Sequence, residues 1–282
     1  MEEIKDFNQT AKDNKIIVDS TKSTLDSNSV IKFNGKNNIL VIEDGVKLVN
    51  SRISFGGDNA VVYLSRNKYI YYLDINAYSN TCVFIGKDNF FNGRLSLIAS
   101  ERKNIIIGDN GLISFGIFVR TADPHLIYSC ETKQRINKSK SVLIGDHVWL
   151  GQGALILKGT KIGSGSILGG GAVISNKSVF SNASAVGNPA KIVAKNIFFS
   201  KESVHNFNKK QTEEFSVMQS DEWIYSYDNS QKSFSETDNL LSSKENSKDK
   251  LNIIKKNIVN NTSKNRFFIA EPKKKKFFSF KK

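Results

Sequence analysis

Ile144-Gly145-Asp146-His147-Val148-Trp149-Leu150-Gly151-Gln152-Gly153-Ala154-Leu155-Ile156 opens a run in which an apolar residue returns at every sixth place: Ile144, Leu150, Ile156, Ile162, Leu168, Ile174, Phe180 and Val186. Four places after each stands Val148, Ala154, Thr160, Ser166, Ala172, Ser178, Ser184 or Ala190, all small or β-branched and uncharged. A period of six fits neither an α-helix nor an alternating strand. It fits short strands joined by corners, the bulky and the small side chain both pointing into a narrow interior. Three such sides close a coil of about eighteen residues, and successive coils stack at the ordinary strand spacing of ~4.8 Å. The eight apolar positions are expected to be buried, with Trp149 and Lys158 pointing outward.

Working outward from this run, Ile107, Ile113 and Val119 keep the spacing, after which Arg120 to Lys140 reads as a loop excursion (120–140) leaving the coil. Further back, turn-like clusters at Gly35-Lys36-Asn37-Asn38, Gly57-Asp58-Asn59, Gly86-Lys87-Asp88-Asn89 and Gly108-Asp109-Asn110 separate β-rich segments such as Val61-Val62-Tyr63-Leu64. They predict wider coils of the same solenoid from about residue 30. Residues 1–29 read as an N-terminal arm, 30–195 as the β-helix domain, 196–228 as a short helical segment, and 229–282 as a polar linker and basic tail with disorder. The fold class is all-β, a parallel β-helix with a mostly polar C-terminal extension of short helices.

Composition narrows the function. Two cysteines, Cys82 and Cys130, exclude a disulfide-stapled scaffold, and three prolines exclude a Pro-rich chain. The formal net charge is +14, but residues 264–282 carry eight basic residues against Glu271, which is +7 of it. The body is therefore not read as a nucleic-acid binder. No apolar leader and no span of membrane length is visible, so a cytoplasmic protein is expected. The tail Lys273-Lys274-Lys275-Lys276-Phe277-Phe278-Ser279-Phe280-Lys281-Lys282 combines charge with aromatic rings, a pattern suited to peripheral contact with an anionic membrane at the inner face of the plasma membrane.

The interior of a closed coil is packed with side chains, so chemistry must lie on its outside. The repeat resembles the hexapeptide-repeat acyltransferases, and the resemblance implies a left-handed parallel β-helix, acetyl-CoA as acyl donor, and a homotrimer. Arg120-Thr121-Ala122-Asp123-Pro124-His125 looks like the catalytic segment of the sugar O-acetyltransferases, in which a loop histidine takes the proton of the acceptor hydroxyl; the chemistry needs such a base because a sugar hydroxyl is a poor nucleophile near pH 7. Asp123 and Asp109 are both candidates to orient the ring. Gly145-Asp146-His147-Val148-Trp149-Leu150-Gly151 is most similar to the capsular polysialic acid O-acetyltransferases, and implies that Trp149 lines the catalytic cleft beside the histidine of a neighbouring subunit. An outward Trp is costly unless something covers it, which points the same way. His147 is read as a corner residue outside the site.

For the donor, Gly169-Gly170-Gly171-Ala172 offers a side without bulk where a pantetheine arm can lie. Gly187-Asn188-Pro189-Ala190-Lys191 resembles the closing turn of the family, which implies Pro189 at the donor and Lys158 and Lys191 as phosphate contacts. Tyr128, Arg135 and Lys138 are candidates for an acidic acceptor, since arginine binds a carboxylate bidentately. The resemblance thus implies acetyl transfer to a hydroxyl of sialic acid or a related sugar in a bacterial surface polysaccharide. A non-catalytic glycan-binding or scaffolding β-helix is the alternative. A zinc enzyme on this fold needs three histidines together, whereas His125 and His147 stand 22 residues apart and His205 lies beyond the coil; no metal is expected.

Overall fold

A computed structural model describes residues 1–19 and 22–272. Among them the chain winds as a three-faced solenoid whose faces are sheets, two of eight strands and one of six, parallel throughout except for one antiparallel edge strand on the first face (Glu2–Ile4) and one on the third (Lys191–Lys195). Each coil runs from the second face to the third to the first, as in Val142–Ile144, Trp149–Leu150 and Leu155–Ile156. Register gives the coil length directly. Ile144 pairs with Ile162 and Leu150 with Leu168, the expected eighteen residues, whereas upstream Ile39 pairs with Val61 and Cys82 with Asn104, a wider coil of 22.

The inward positions follow the sequence pattern through Ile174, each of these side chains being at most 2% exposed. The pattern then slips. Ile162 pairs with Val179 and Leu168 with Ala185, so this coil is one residue shorter. Val179 and Ala185 take the inward places, and Val186, expected inside, is 38% exposed. Phe180 is still buried, with the Lys195 ammonium over its ring.

Two segments differ from their sequence reading. The expected N-terminal arm (1–29) contributes strands: Lys15–Val18 pairs in parallel with Ile39–Ile42, and Glu2–Ile4 pairs antiparallel with Val30–Phe33 across the edge of the first face. The expected linker at 229–250 is also ordered. After α1 (Lys209–Glu214), the helices α2 (Phe234–Ser242) and α3 (Ser247–Ile254) lie on the outside of the second face. Phe234, Leu241, Leu251, Ile254, Ile258 and Phe267 form a second core with the outward side chains of that face, among them Val41, Tyr63, Phe84 and Ile106. Ile39–Ile42, Val61–Leu64 and Cys82–Ile85 are accordingly buried on both sides, the physical reason these strands read as unbroken apolar runs rather than as alternation. Both helices start at capping side chains: Ser233 accepts from the Glu236 amide, with Glu236 returning the bond, and Asn246 accepts from the Asp249 amide. The basic stretch 273–282 lies outside the described residues.

The extension is fastened by a buried ion cluster. Arg266 donates from Nε to Asp146 Oδ2 at 2.9 Å and from Nη2 to Asp146 Oδ1 at 2.8 Å, and its Nη2 is 2.9 Å from Asp109 Oδ2. Its Nη1 donates to the carbonyls of Ile258 and Asn261 at 2.8 and 2.9 Å. Asp109, a candidate partner for His125 in the sequence, is thereby engaged elsewhere. Burial and the neighbouring Asp146 raise the Asp109 carboxyl above the ordinary carboxylate range, and Arg266 opposes that shift.

Candidate active site

The excursion leaves the first face after Ile117–Arg120 and rejoins the second face at Val142–Ile144. It is a small hairpin. Ile136 N donates to Ile127 O at 2.9 Å, Ser129 N to Gln134 O at 2.9 Å, and Tyr128 bridges Arg135. His125 stands exposed at its start, and among the described residues its imidazole makes no hydrogen bond, leaving both ring nitrogens open to a ligand. Its backbone, by contrast, is held. Asn137, buried at 6% exposure, donates from Nδ2 to the His125 carbonyl at 2.7 Å and to Asp123 Oδ2 at 3.1 Å, and its Oδ1 accepts from the Ile127 amide at 3.0 Å and from Arg135 Nε at 3.2 Å.

Two residues assigned to ligands in the sequence have partners within the chain. Arg135 pairs through both terminal nitrogens with Glu101, Nη2 to Oε2 at 2.8 Å, and Ser139 also donates to that carboxylate. These bonds, the one from Arg135 foremost, bring the Glu101 carboxyl down to about 2. Lys158 forms an ion pair with Asp123 and donates to the Asn137 carbonyl at 3.2 Å. The Asp123 carboxyl is lowered, first by its bond from Lys158. Both pairs tie the hairpin to the coil. Tyr128 and Lys138 are exposed.

Trp149 is on the third face and points outward, 38% exposed, its ring tilted against Phe199 at 5.8 Å. Within one chain the topology therefore puts His125 and Trp149 on different sides of the coil. His147, at the corner with φ of 50°, is fully buried rather than exposed. It is stacked between Phe199 and Trp223, at 4.0 and 3.7 Å between ring centroids, with Nε2 2.9 Å from the Phe199 carbonyl. Burial lowers its pKa to about 4. A ring enclosed in this way has no path to a substrate.

The corner between third and first faces is open. Gly153 and Gly171 sit there with φ of 69° and 66°, and a Cβ at either would meet nothing within 4 Å, so a strip of the surface is bare backbone. Gly151 is different in kind: a Cβ there would lie 2.5 Å from the Gly170 amide nitrogen, so close stacking of the coils excludes any side chain. Gly169 stands half-buried beside this strip, and Pro189 and Lys191 are exposed one coil further on, whereas Ala172, expected at the donor, is wholly buried because its small side chain fills an inward place of the coil. An extended, unbranched chain fits the bare strip, and Lys191, which makes no ion pair among the described residues, offers a charge at its end. Among the described residues no group of three or more His, Cys, Asp or Glu is arranged to hold a metal, and no helix is long and apolar enough to cross a membrane.

Asn137 and Arg266 were missed by sequence reasoning. Arg266 acts on a segment 120 positions away, and Asn137 acts by bonding across the folded excursion to Asp123, His125 and Ile127, a contact that no periodic pattern announces.

Comparison with known proteins agrees with this geometry. Residues 141–176 match the family described as bacterial transferase hexapeptide (six repeats). The chain is 45% identical over 173 residues to a polysialic acid O-acetyltransferase of Neisseria meningitidis, covering 61% of this chain and 80% of the relative. It is 36% identical over 128 residues to the polysialic acid O-acetyltransferase of Escherichia coli O1:K1 / APEC, covering 45% and 41%. Among solved structures, the polySia-specific acetyltransferase NeuO superposes with a TM-score of 0.61 at 31% identity, over 72% of this chain and 93% of that one. The polysialic acid O-acetyltransferase OatWY superposes with a TM-score of 0.53 at 27% identity, over 70% and 92%. A solenoid of this register with a hexapeptide stretch matched across its regular coils, and a relative covered over four fifths of its length at this identity, lead to one conclusion: the chain is a sugar O-acetyltransferase of the hexapeptide-repeat class and belongs to the polysialic acid O-acetyltransferase family.

Proposed function

We propose that this protein moves an acetyl group from acetyl-CoA to a hydroxyl of sialic acid in a bacterial surface polysaccharide, with His125 as general base. The observation that carries the reading is an imidazole with two open nitrogens on a loop whose backbone is clamped by a buried amide. A base must be both accessible and fixed. One ring nitrogen accepts the proton of the acceptor hydroxyl as its oxygen attacks the thioester carbonyl carbon. The C–S bond breaks, and the imidazolium returns the proton to the departing thiolate. The pantetheine arm lies along Gly169 and Gly171, with Pro189 beside it and Lys191 at the phosphates. Tyr128 is the acceptor contact on the hairpin. Lys158 and Arg135 serve this site through their pairing with Asp123 and Glu101, as anchors of the hairpin.

The active unit is a homotrimer with the site between copies. What supports this is the division of the surface. The second face is covered by α2 and α3 of its own chain, which leaves the first and third faces, where Phe118 and Trp149 are exposed at 44% and 38%, to meet another copy. The test of the activity is thiol release from acetyl-CoA. Release that depends on polysialic acid is the expected result, and release that is equal without any sialylated acceptor is the contrary one.

Asn137→Ala is expected to lower kcat by roughly 10- to 100-fold, because a misplaced base loses the near-attack geometry. KM for acetyl-CoA should stay within twofold, since the donor lies on another face. A parallel rise in that KM would instead mean a general collapse of the excursion.

The basic tail suits peripheral attachment to an anionic membrane from the cytoplasmic side, each Lys near such a surface contributing about 1 kcal/mol. Sedimentation with phosphatidylserine-containing vesicles is expected to pull down the full chain and not a chain ending at Ala270. Binding should be lost when salt rises from about 0.1 to about 0.5 M. Equal sedimentation of the two chains would remove the tail from the account.

A further inference from the structure

Above Trp149 on the third face, toward the N-terminal coils, a cleft of about 770 Å3 is lined by Lys47, Lys68 and Arg94 together with Tyr69, Tyr72 and Phe90, and by no acidic residue. We propose that this cleft holds the continuation of an anionic polysaccharide acceptor, about two sugars away from the one that reacts at Trp149; the inference rests on the acceptor reading above. Three observations carry it.

The first is charge. Lys47, Lys68 and Arg94 are exposed, and none of them makes an ion pair within 4 Å among the described residues. The Arg94 guanidinium is held in place rather than neutralised, Nη2 donating to the Asn50 carbonyl at 2.9 Å and to its Oδ1 at 2.7 Å. A carboxylate at the rim, Asp88, accepts from the Lys68 amide at 3.3 Å. A cluster of cations without carboxylate partners, one of them held in place, is complementary to a ligand that repeats a carboxylate along its length.

The second is shape. Tyr69 meets Phe90 edge to face at 5.1 Å between centroids, and Lys68 and Lys201 stand 5.3 and 5.9 Å from the Tyr69 ring. Lys201 also donates to the Asp88 carbonyl at 3.1 Å, so the segment following the coil braces the wall of the cleft. Half-buried aromatic rings with polar groups beside them offer flat apolar surface to the C–H side of a sugar and leave its charged side to the lysines.

The third is position. Phe90 pairs in register with Leu112, and Leu112 with Trp149. At strand spacing this places the wall of the cleft about 10 Å from Trp149 along one uninterrupted face. A small acceptor at Trp149 does not reach it; a polymer running along the face does.

The inference is tested with the full chain and two acceptors, long-chain polysialic acid and the methyl glycoside of a single sialic acid, using acetyl-CoA as donor. In the Lys68→Ala/Arg94→Ala double variant, KM for the polymer is expected to rise about tenfold or more with kcat unchanged, while KM for the single sugar changes less than twofold. Raising salt from about 0.1 to about 0.5 M should raise the polymer KM of the parent protein and have a smaller effect on the variant. If both acceptors weaken equally, or neither does, the cleft is no subsite and this inference fails by itself. If the parent protein acetylates neither acceptor, the acceptor reading fails and takes the inference with it.

Discussion

His125→Ala is expected to lower turnover of acetyl transfer by at least about 100-fold and to leave the thermal midpoint within a few degrees of the parent protein. The side chain is exposed and makes no hydrogen bond among the described residues, so its removal costs no packing and orphans no polar partner. The base is lost while the loop stays in place, because the clamp from Asn137 grips the backbone carbonyl and not the ring. Trp149→Ala is expected to be similarly impaired. Co-expression of the two inactive variants then separates a shared site from a private one. Where His125 of one copy faces Trp149 of the next, random assembly restores an intact pairing at roughly a quarter of the sites. No recovery above the single variants would mean that the two residues do not act together across copies, and activity of His125→Ala within a few-fold of the parent would remove it from the mechanism.

Arg266→Ala is expected to cost about 3–5 kcal/mol of stability, seen as a large fall in the denaturation midpoint and early proteolytic release of the segment after residue 196. The guanidinium is 5% exposed, faces Asp109 and Asp146, and bonds two carbonyls of its own segment. Removing it leaves two buried carboxylates without their counter-charge. The pH dependence gives the cause away. With Arg266 gone, the charge that opposes the upward shift of Asp109 is lost, so its folded-state pKa lies further above the unfolded value and the native state takes up more protons than the unfolded chain. The deficit should therefore be largest at neutral pH and shrink as pH falls toward the ordinary carboxylate range. A triple variant, Arg266→Met with Asp109→Asn and Asp146→Asn, should recover much of the loss. A deficit that does not vary with pH would show that packing of the arginine stem, and not its charge, holds the extension.

What could be read from the sequence was local. Inward and outward places in a six-residue repeat are set within each repeat, because a strand and its corner fix the direction of every side chain. Ile144 through Ile174 and the outward Trp149 were thus legible, as was the excursion, which interrupts the period. Its family likeness pointed to His125. The one-residue slip at Val179 was not legible: an apolar Phe180 and Val186 keep the period alive on paper, and only pairing with Ile162 and Leu168 reveals which residues face inward.

The remaining features depend on segments that meet only after folding. Polar composition between residues 229 and 250 suggested a linker, yet a few apolar side chains, Phe234, Leu241 and Leu251, suffice when the second face already presents Val41, Tyr63 and Phe84. The doubly apolar runs at 39–42, 61–64 and 82–85 were the available sign that something must cover them. His147 became a buried, neutral ring because Phe199 and Trp223 close over it, and Arg266 left the basic tail to become a core residue because Asp109 and Asp146 await it. The coil follows from the sequence because its code is periodic and short-range; what covers each face and which charges pair depend on contacts between residues from 34 to 120 or more positions apart, which exist only once the chain has folded.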